Sequence, residues 1–473
     1  MLSMRIPYFQ IISFLLVTTL TQAQTLQQSL QIAFNRLQQD SQCRYASLSL
    51  TVLDATTGEQ IFAANPNMGL APASTLKTVT SITAFNVLGA VYKFETQFGY
   101  TGTIDVNGIL NGDIIIKGGG DPTLGSWRWT STKENAVVTK LVTALQQAGI
   151  KQINGRVIGD DSVFDTQSIP DGWIWQDLGN YYGAGTSGLC WRENTFDIKY
   201  ATGPVGSPVK VLRTSPAMPY FNFTSEVTNS AAGSGDKSYA YLPVGNKSMY
   251  IRGSYAIDKA KKSISVALPD PAYDAAWRLT DTLKQIGITT SQEPESIVTL
   301  NAKGETAPVI SKTLLTISSP ELSKIVYWLN KESINLYAEQ LLKTIALKTG
   351  KPVSTKMGVE ALQNFWKVRG IDTHTLNLYD GSGLAPADRI TTSTLAHILQ
   401  TAVTQPWYPA FFESLPLYNN MHMKSGTIAD VVAYAGYQTH AGRKLCFSAI
   451  INNYNGSTTA VRQKLFKVLD ELK

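Results

Sequence analysis

The order helix, Gly-Ile, strand occurs twice in this chain, across residues 148–153 and again across 286–290, and the stretch between has another character. Residues 201–257 are punctuated by Gly, Ser, Asn and Pro, with short alternating pieces at 239–243 and 248–252. Alternation over a few residues between turn formers is the pattern of half-buried strands. The repeat on either side therefore predicts one domain interrupted by a small β-rich module. At 473 residues the chain exceeds a single ordinary core, so two or three domains are expected on length alone.

Ahead of the interruption, residues 25–39 carry Leu26, Leu30, Ile32, Ala33 and Leu37 at helical spacing. Residues 46–53 and 60–64 read as strands joined by the turn 54–58. Val79, Ile82, Phe85 and Leu88 recur every third residue, which predicts a helix with one apolar face that stops at Gly89. Residues 100–117 read as strands, 136–148 as a helix, 150–159 and 263–268 as strands and 270–286 as a helix. The run from Gly118 to Leu124 has no following Gly-Lys-Ser/Thr and reads as a structural turn. From near Thr316 the chain turns helical, with helices at 336–347, 356–368, 392–403 and 459–472 and strands at 432–438 and 445–451.

The first 23 residues combine Arg5, an apolar run from Tyr8 to Leu20 and a small residue at Ala23, the pattern of a cleaved secretory signal. No cysteine directly follows that run to carry a lipid, and no later segment is long and apolar enough to span a bilayer, so an exported protein without a membrane anchor is expected. Lys and Arg exceed Asp and Glu by 41 minus 35, or +6, with no dense basic run, which argues against nucleic acid and suits work beside an anionic polymer. Cys43, Cys190 and Cys446 allow at most one disulfide and are read as buried thiols. Their spacing, and that of the four histidines, matches no metal site.

The chemistry starts at Ser74. Pro72 lies just upstream, so Ser74 falls in the first helical turn, and Lys77 three residues on shares its face. A serine hydroxyl becomes a nucleophile when a neighbouring base takes its proton, and a desolvated lysine can be that base. Ser-x-x-Lys alone is weak, since average usage gives roughly two chance matches in a chain this long. Two further elements follow in order, Ser333-Ile334-Asn335 between helices and Lys424-Ser425-Gly426 at a strand. Singly, Ser333 and Asn335 could cap a helix and Lys424 could be a solvated lysine at a strand edge. Together the three resemble the S-x-x-K, S-D-N and K-T-G set of serine penicillin-binding proteins and class A β-lactamases.

With Gly118-Gly119-Gly120-Asp121-Pro122-Thr123-Leu124, the run from Ser333 to Leu342 and Asp380-Gly381-Ser382-Gly383-Leu384, the chain resembles the class C low-molecular-mass penicillin-binding proteins, D-alanyl-D-alanine carboxypeptidases/endopeptidases. The gap of 333 minus 74, or 259 residues, also resembles that class. The resemblance implies an α/β (α+β) multidomain fold: a transpeptidase-like domain (24–95 and 306–473), an inserted second domain (96–200 and 263–305) and a nested β-rich third (201–262). It implies that Ser74 attacks the carbonyl of a peptidoglycan stem peptide to form an acyl-enzyme, with β-lactams as covalent inhibitors. Lys77 would take the proton, Ser333 with Lys424 would relay one to the leaving amine, and Asn335 would bind the substrate backbone. The backbone N–H groups of Ser74 and Thr427 would form the oxyanion hole. Ser425, Gly426 and Thr427 would bind substrate, with Asp160 and Phe164 lining the same cleft and no metal or cofactor required. Where family members use an arginine for a stem-peptide carboxylate this chain has Pro386, which leaves Arg389 as the candidate; Ile334 and Ser425 also depart from the usual motif residues. The location implied is the periplasm or cell-wall space of a bacterium. A β-lactamase or esterase, and a peptidoglycan-binding scaffold without turnover, are the alternatives.

Overall fold

The computed structural model describes residues 26–243 and 248–473; the expected signal peptide lies outside the described residues. The chain forms two compact units, one of residues up to Ile82 with Trp366–Leu378 and Ala387–Lys473, the other of Thr83–Phe365 with Tyr379–Pro386.

The first unit is built on a six-stranded antiparallel sheet in the order Gln60–Ala64, Ser47–Asp54, Arg443–Asn452, Val431–His440, Met421–Ile428, Leu417–Tyr418. The first long strand pairs along its whole length with the last, Ser47 opposite Asn452 and Asp54 opposite Leu445. Alternate side chains of these strands, among them Leu48, Leu50, Val52, Phe447 and Ile451, join a core with Leu30 and Phe34 of the helix at 26–39 and Val461 and Leu465 of the C-terminal helix Thr458–Leu469. Helix Thr392–Ala402 is tied to the sheet through Thr392 Oγ1, which lies 2.5 Å from Ser49 Oγ and 2.9 Å from Thr51 Oγ1, both buried.

In the second unit a five-stranded sheet runs Glu295–Ser296, Val157–Asp160, Ile114–Lys117, Glu95–Tyr100, Lys312–Ser318. Helices Glu134–Gln147 and Pro271–Gln285 bury Leu141, Leu145, Leu279 and Leu283 in one cluster with its strands. The two Gly-Ile repeats lie side by side, Ile153 N–H donating to Thr289 O at 2.9 Å and Ser291 N–H to Ile153 O at 3.0 Å. Lys312–Ser318 departs from the sequence reading, in which helical structure starts near Thr316: it is a strand, paired with Glu95–Tyr100. That sheet thus continues past residue 305, the bound expected for the inserted segment.

The β-rich stretch carries two small sheets. Thr195–Ala201 lies between Lys210–Ser215 and Ser263–Ala267, while Ser248–Ala256 is the hub of a second. Phe196, Ile198, Val266 and Leu268 share a core with Val209, Met249 and Ile251, so the packed module reaches past 201–262 on both sides. Pairing across the neck, rather than turn composition, sets where it ends.

Helix Asn335–Lys348 is buried from Asn335 to Ala346 on every face. Such a helix is tolerated only if its polar side chains find partners, and they do. Gln340 Nε2 donates to Gly120 O (3.0 Å) and Ser187 O (2.9 Å), and Lys343 Nζ donates to Asp165 Oδ1 (2.6 Å). Glu339 accepts the Gly381 N–H with both oxygens at 3.0 Å, which ties down the Asp380–Leu384 turn. Asp380 holds that turn from inside, accepting the amides of Gly383 (2.7 Å) and Ala385 (2.8 Å) and the indole N–H of Trp173 (2.8 Å). The glycine run at 118–120 is structural, since a Cβ on Gly118 would sit 2.1 Å from Gly188 O.

Candidate active site

Ser74 sits in the one-turn 3-10 segment Ala73–Thr75 that feeds straight into helix Leu76–Leu88. Ala73 is held at φ 44°, a left-handed conformation that costs a non-glycine residue on the order of 1 kcal/mol. The strain is held by its surroundings. Asn452 of the last strand accepts Ala71 N–H (2.7 Å) and donates to Ala71 O (3.1 Å), and Thr75 Oγ1 donates to Pro72 O (2.7 Å). Lys77 Nζ donates to Ser74 Oγ at 2.8 Å, so serine and amine are direct neighbours. The helix differs from the expected one-faced pattern: Lys77 to Ile82 are all buried, polar residues included.

Strand Met421–Ile428 lies against this turn. A Cβ on Gly426 would stand 2.5 Å from Pro72 O and 3.0 Å from the backbone nitrogens of Ser74 and Thr75, so only glycine permits the approach. The strand pairs with Val431–His440 on one edge, while on the other Leu417–Tyr418 reaches only Met421 and His422. Thr427 is exposed, Ser425 is half-buried and Gly426 is buried. Lys424 is 1% exposed and Lys77 is 0% exposed, so neither is a solvated surface lysine. Burial, and then the charge of Lys77, hold the Lys424 ammonium well below its ordinary value. Lys424 therefore gives up its proton readily. Lys424 Nζ also donates to Ser425 O at 2.8 Å.

Ser333 and Asn335 belong to the second unit, in the short connection between helices Leu322–Lys331 and Asn335–Lys348. Ser333 has φ 55°, a second non-glycine residue held left-handed. The N-cap is Ile334, which makes no side-chain cap, and Asn335 Nδ2 instead donates to Tyr182 O at 2.7 Å. Sequence reading missed the clamp around this loop. Glu193 Oε1 accepts from Tyr337 Oη (2.8 Å), Arg128 Nε (2.8 Å) and Ser126 Oγ (2.7 Å), and the Arg128 guanidinium lies 4.9 Å from the ring centre of Trp328. Glu193 is presented by three successive non-glycine residues at positive φ, Arg192, Glu193 and Asn194. Nothing in a single sequence marks such a turn.

The sequence pattern of the D-Ala-D-Ala carboxypeptidase 3 (S13) family matches residues 30–418, more than four-fifths of the chain. The chain belongs to this S13 family. The match takes in Ser74, Lys77, Ser333 and Asn335 and stops short of Lys424, whose place rests on the strand geometry above. The chain is 27% identical over 434 residues to a D-alanyl-D-alanine carboxypeptidase of an Actinomadura species, covering 86% of this chain and 78% of that one. It is 27% identical over 407 residues to D-alanyl-D-alanine carboxypeptidase DacB of Haemophilus influenzae, covering 81% and 80%. The crystal structure of penicillin binding protein 4 from Haemophilus influenzae shares the fold, with TM-score 0.77 at 24% identity over 92% of this chain and 97% of that one.

Among the remaining positions expected from the class C resemblance, Asp160 accepts from Lys117 Nζ (2.7 Å) and from Ser162 N–H (2.9 Å). Phe164 is buried beneath Gly120, where a Cβ would meet its ring at 2.8 Å. Arg389 lies in the first unit on the two-residue strand Arg389–Ile390, exposed, with Nη1 donating to Asp388 O at 2.7 Å. Cys43, Cys190 and Cys446 are buried free thiols.

Proposed function

We propose that this S13-family enzyme is an exported serine D-Ala-D-Ala carboxypeptidase and endopeptidase that shortens or uncrosslinks peptidoglycan stem peptides through an acyl-enzyme on Ser74. The observation that carries the assignment of the nucleophile is the 2.8 Å contact between Ser74 Oγ and a fully buried Lys77. A scaffold that only bound its polymer would gain nothing from a desolvated amine beside a serine.

In this reading Ser74 Oγ attacks the carbonyl carbon of the penultimate D-alanine as its proton passes to the neutral amine of Lys77. The developing oxyanion is met by the N–H groups of Ser74 and Thr427. Collapse of the tetrahedral intermediate breaks the C–N bond, and the leaving amine takes a proton relayed by Ser333 with Lys424. Asn335 holds the substrate backbone, and Ser425, Gly426 and Thr427 offer the strand edge beside it. A terminal carboxylate arriving at Lys424 favours the ammonium there, and the pair's remaining amine, Lys77, is then the neutral one. Water enters by the same proton route to release the shortened peptide. Peptidoglycan stem peptides as partners, export to the periplasm or cell-wall space, and a side-chain carboxylate contact from Arg389 belong to the same proposal.

The test is to treat wild type and Ser74→Ala with labelled penicillin, then with cross-linked muropeptides. Label that stays on Ser74, with D-alanine release or cross-link cleavage lost in the variant, is the expected result. Rapid loss of label would make the protein a β-lactamase. Label independent of Ser74 would overturn the assignment.

A further inference from the structure

Within the second unit the Ser333–Asn335 connection forms one wall of a cavity of about 490 Å³, and the mechanism above uses only that wall. The volume is that of a small-molecule site, enough for a sugar with a short peptide. Across from the loop stand residues of the β-rich module, Tyr255 at the base and Lys259 and Lys261 nearer solvent. Trp127 and Tyr181 also line it, and they are 56% and 60% exposed. Two large aromatic faces left in water beside a concavity mark a surface that gains by being covered.

The charges are mixed. Lys259 has no side-chain partner among the described residues, and Lys261 Nζ makes only a 3.3 Å contact with Ser265 Oγ and a 4.0 Å approach to Asp197. Glu332, beside Ser333, and Asp236 from the module bring exposed carboxylates to the same cavity. A ligand that suits all of this has flat or methyl-bearing surfaces for the aromatic rings, carboxylates for the lysines and an amine for the acids.

We infer that this cavity is a muropeptide subsite, which binds an amino-sugar carrying a short zwitterionic peptide, with Trp127 and Tyr181 stacking on the sugar and Lys259 and Lys261 pairing with the peptide carboxylates. The inference rests on the peptidoglycan reading of the enzyme. It gives the β-rich module a role: one wall of a site whose other wall is a catalytic loop. A long substrate is held at a place where a small synthetic peptide makes no contact.

The test uses a disaccharide-tripeptide, which lacks the D-alanine pair and cannot be cleaved, titrated calorimetrically into the full protein with and without prior penicillin treatment. Binding is expected in both states, tenfold or more weaker in Trp127→Ala and in the Lys259→Ala/Lys261→Ala double variant, and at least tenfold weaker for the disaccharide alone. The same variants should keep wild-type penicillin labelling and wild-type hydrolysis of a small diacyl D-Ala-D-Ala peptide. Because these positions are exposed, folding is not at stake. Muropeptide binding that is absent, that penicillin abolishes or that the substitutions leave unchanged would overturn the subsite. Failure of penicillin labelling in wild type, with muropeptide binding intact, would overturn the peptidase reading and leave the subsite standing.

Discussion

Tyr337 donates its hydroxyl to Glu193 at 2.8 Å, and through that carboxylate it is joined to Arg128, which stacks on Trp328. Trp328 and Tyr337 sit on the helices before and after Ser333, so one buried carboxylate fastens both ends of the loop. Tyr337→Phe should cost about 1.5–3 kcal/mol, the worth of a hydrogen bond to a charged group, and Glu193→Ala about 3 kcal/mol or more, because it leaves Arg128 without its ion pair. Denaturant unfolding measures both. Penicillin acylation should slow in both variants while Ser74 remains the labelled residue.

Lys77 separates base catalysis from charge. Lys77→Ala should lower the acylation rate by about 10²–10⁴-fold, the usual range for a lost general base. Lys77→Arg should give no rescue, since a guanidinium keeps its proton at any accessible pH. Rapid-mixing acylation kinetics with a chromogenic β-lactam decide the matter.

Gly426→Ala should act through packing. Its Cβ would press on Pro72 O at 2.5 Å and move the strand off the nucleophile turn. A loss of about 1–3 kcal/mol is expected for such overpacking, with acylation reduced more than that loss accounts for. Gly89→Ala is the control: φ is +86° and nothing lies within 4 Å of its Cβ, so it should cost about 1 kcal/mol of stability and leave acylation unchanged.

Asp121 is 1% exposed, and its Oδ2 has no hydrogen-bond partner among the described residues, while Oδ1 accepts from the backbone N–H and hydroxyl of Thr123. Burial pushes its carboxyl up from 3.8 to about 6. Between these values the folded chain binds more protons than the unfolded one, so stability falls as pH rises from about 4 to about 6 and stays lower above. Asp121→Asn should flatten that descent and raise stability at pH 8 by up to about 3 kcal/mol, with no gain at pH 4. Thermal unfolding across the range reads it directly.

Lys424 has the opposite sign. Its depressed ammonium means that the unfolded chain binds more protons in the window below about 10.4, so this site contributes stability at high pH that is lost as pH falls. Lys424→Met, which keeps the bulk and removes the amine, should flatten the rise of Tm with pH and raise Tm at neutral pH. It should also abolish turnover.

The nucleophile segment and the long strands were legible because their signals are local. Ser47–Asp54, Gln60–Ala64 and Asn335–Lys348 fall within a residue or two of where alternation and spacing put them. Helix Leu76–Leu88 was found for a partial reason: its every-third-residue apolar face is real, yet Thr78, Thr80 and Ser81 are buried as well. Lys312–Ser318 was missed because the partner that makes it a strand, Glu95–Tyr100, is more than 200 residues away. Beside the expected bounds of the β-rich module, Thr195–Ala201 and Ser263–Ala267 pair with each other, a contact between segments more than 60 residues apart that local composition does not signal. Of the candidate site, the residues proposed to do chemistry announce themselves by motif. Those that hold them, such as Asn452 on Ala71 and Glu193 under Tyr337, carry no such mark because their role exists only in three dimensions.

Strand Arg443–Asn452 is wedged between Ser47–Asp54 and Val431–His440. The reactive alcohol thus comes early in the sequence, while the central plank of that sheet, and the Asn452 that steadies Ala71, come more than 350 residues later. The nucleophile turn is steadied only once a strand from far along the sequence has joined the sheet.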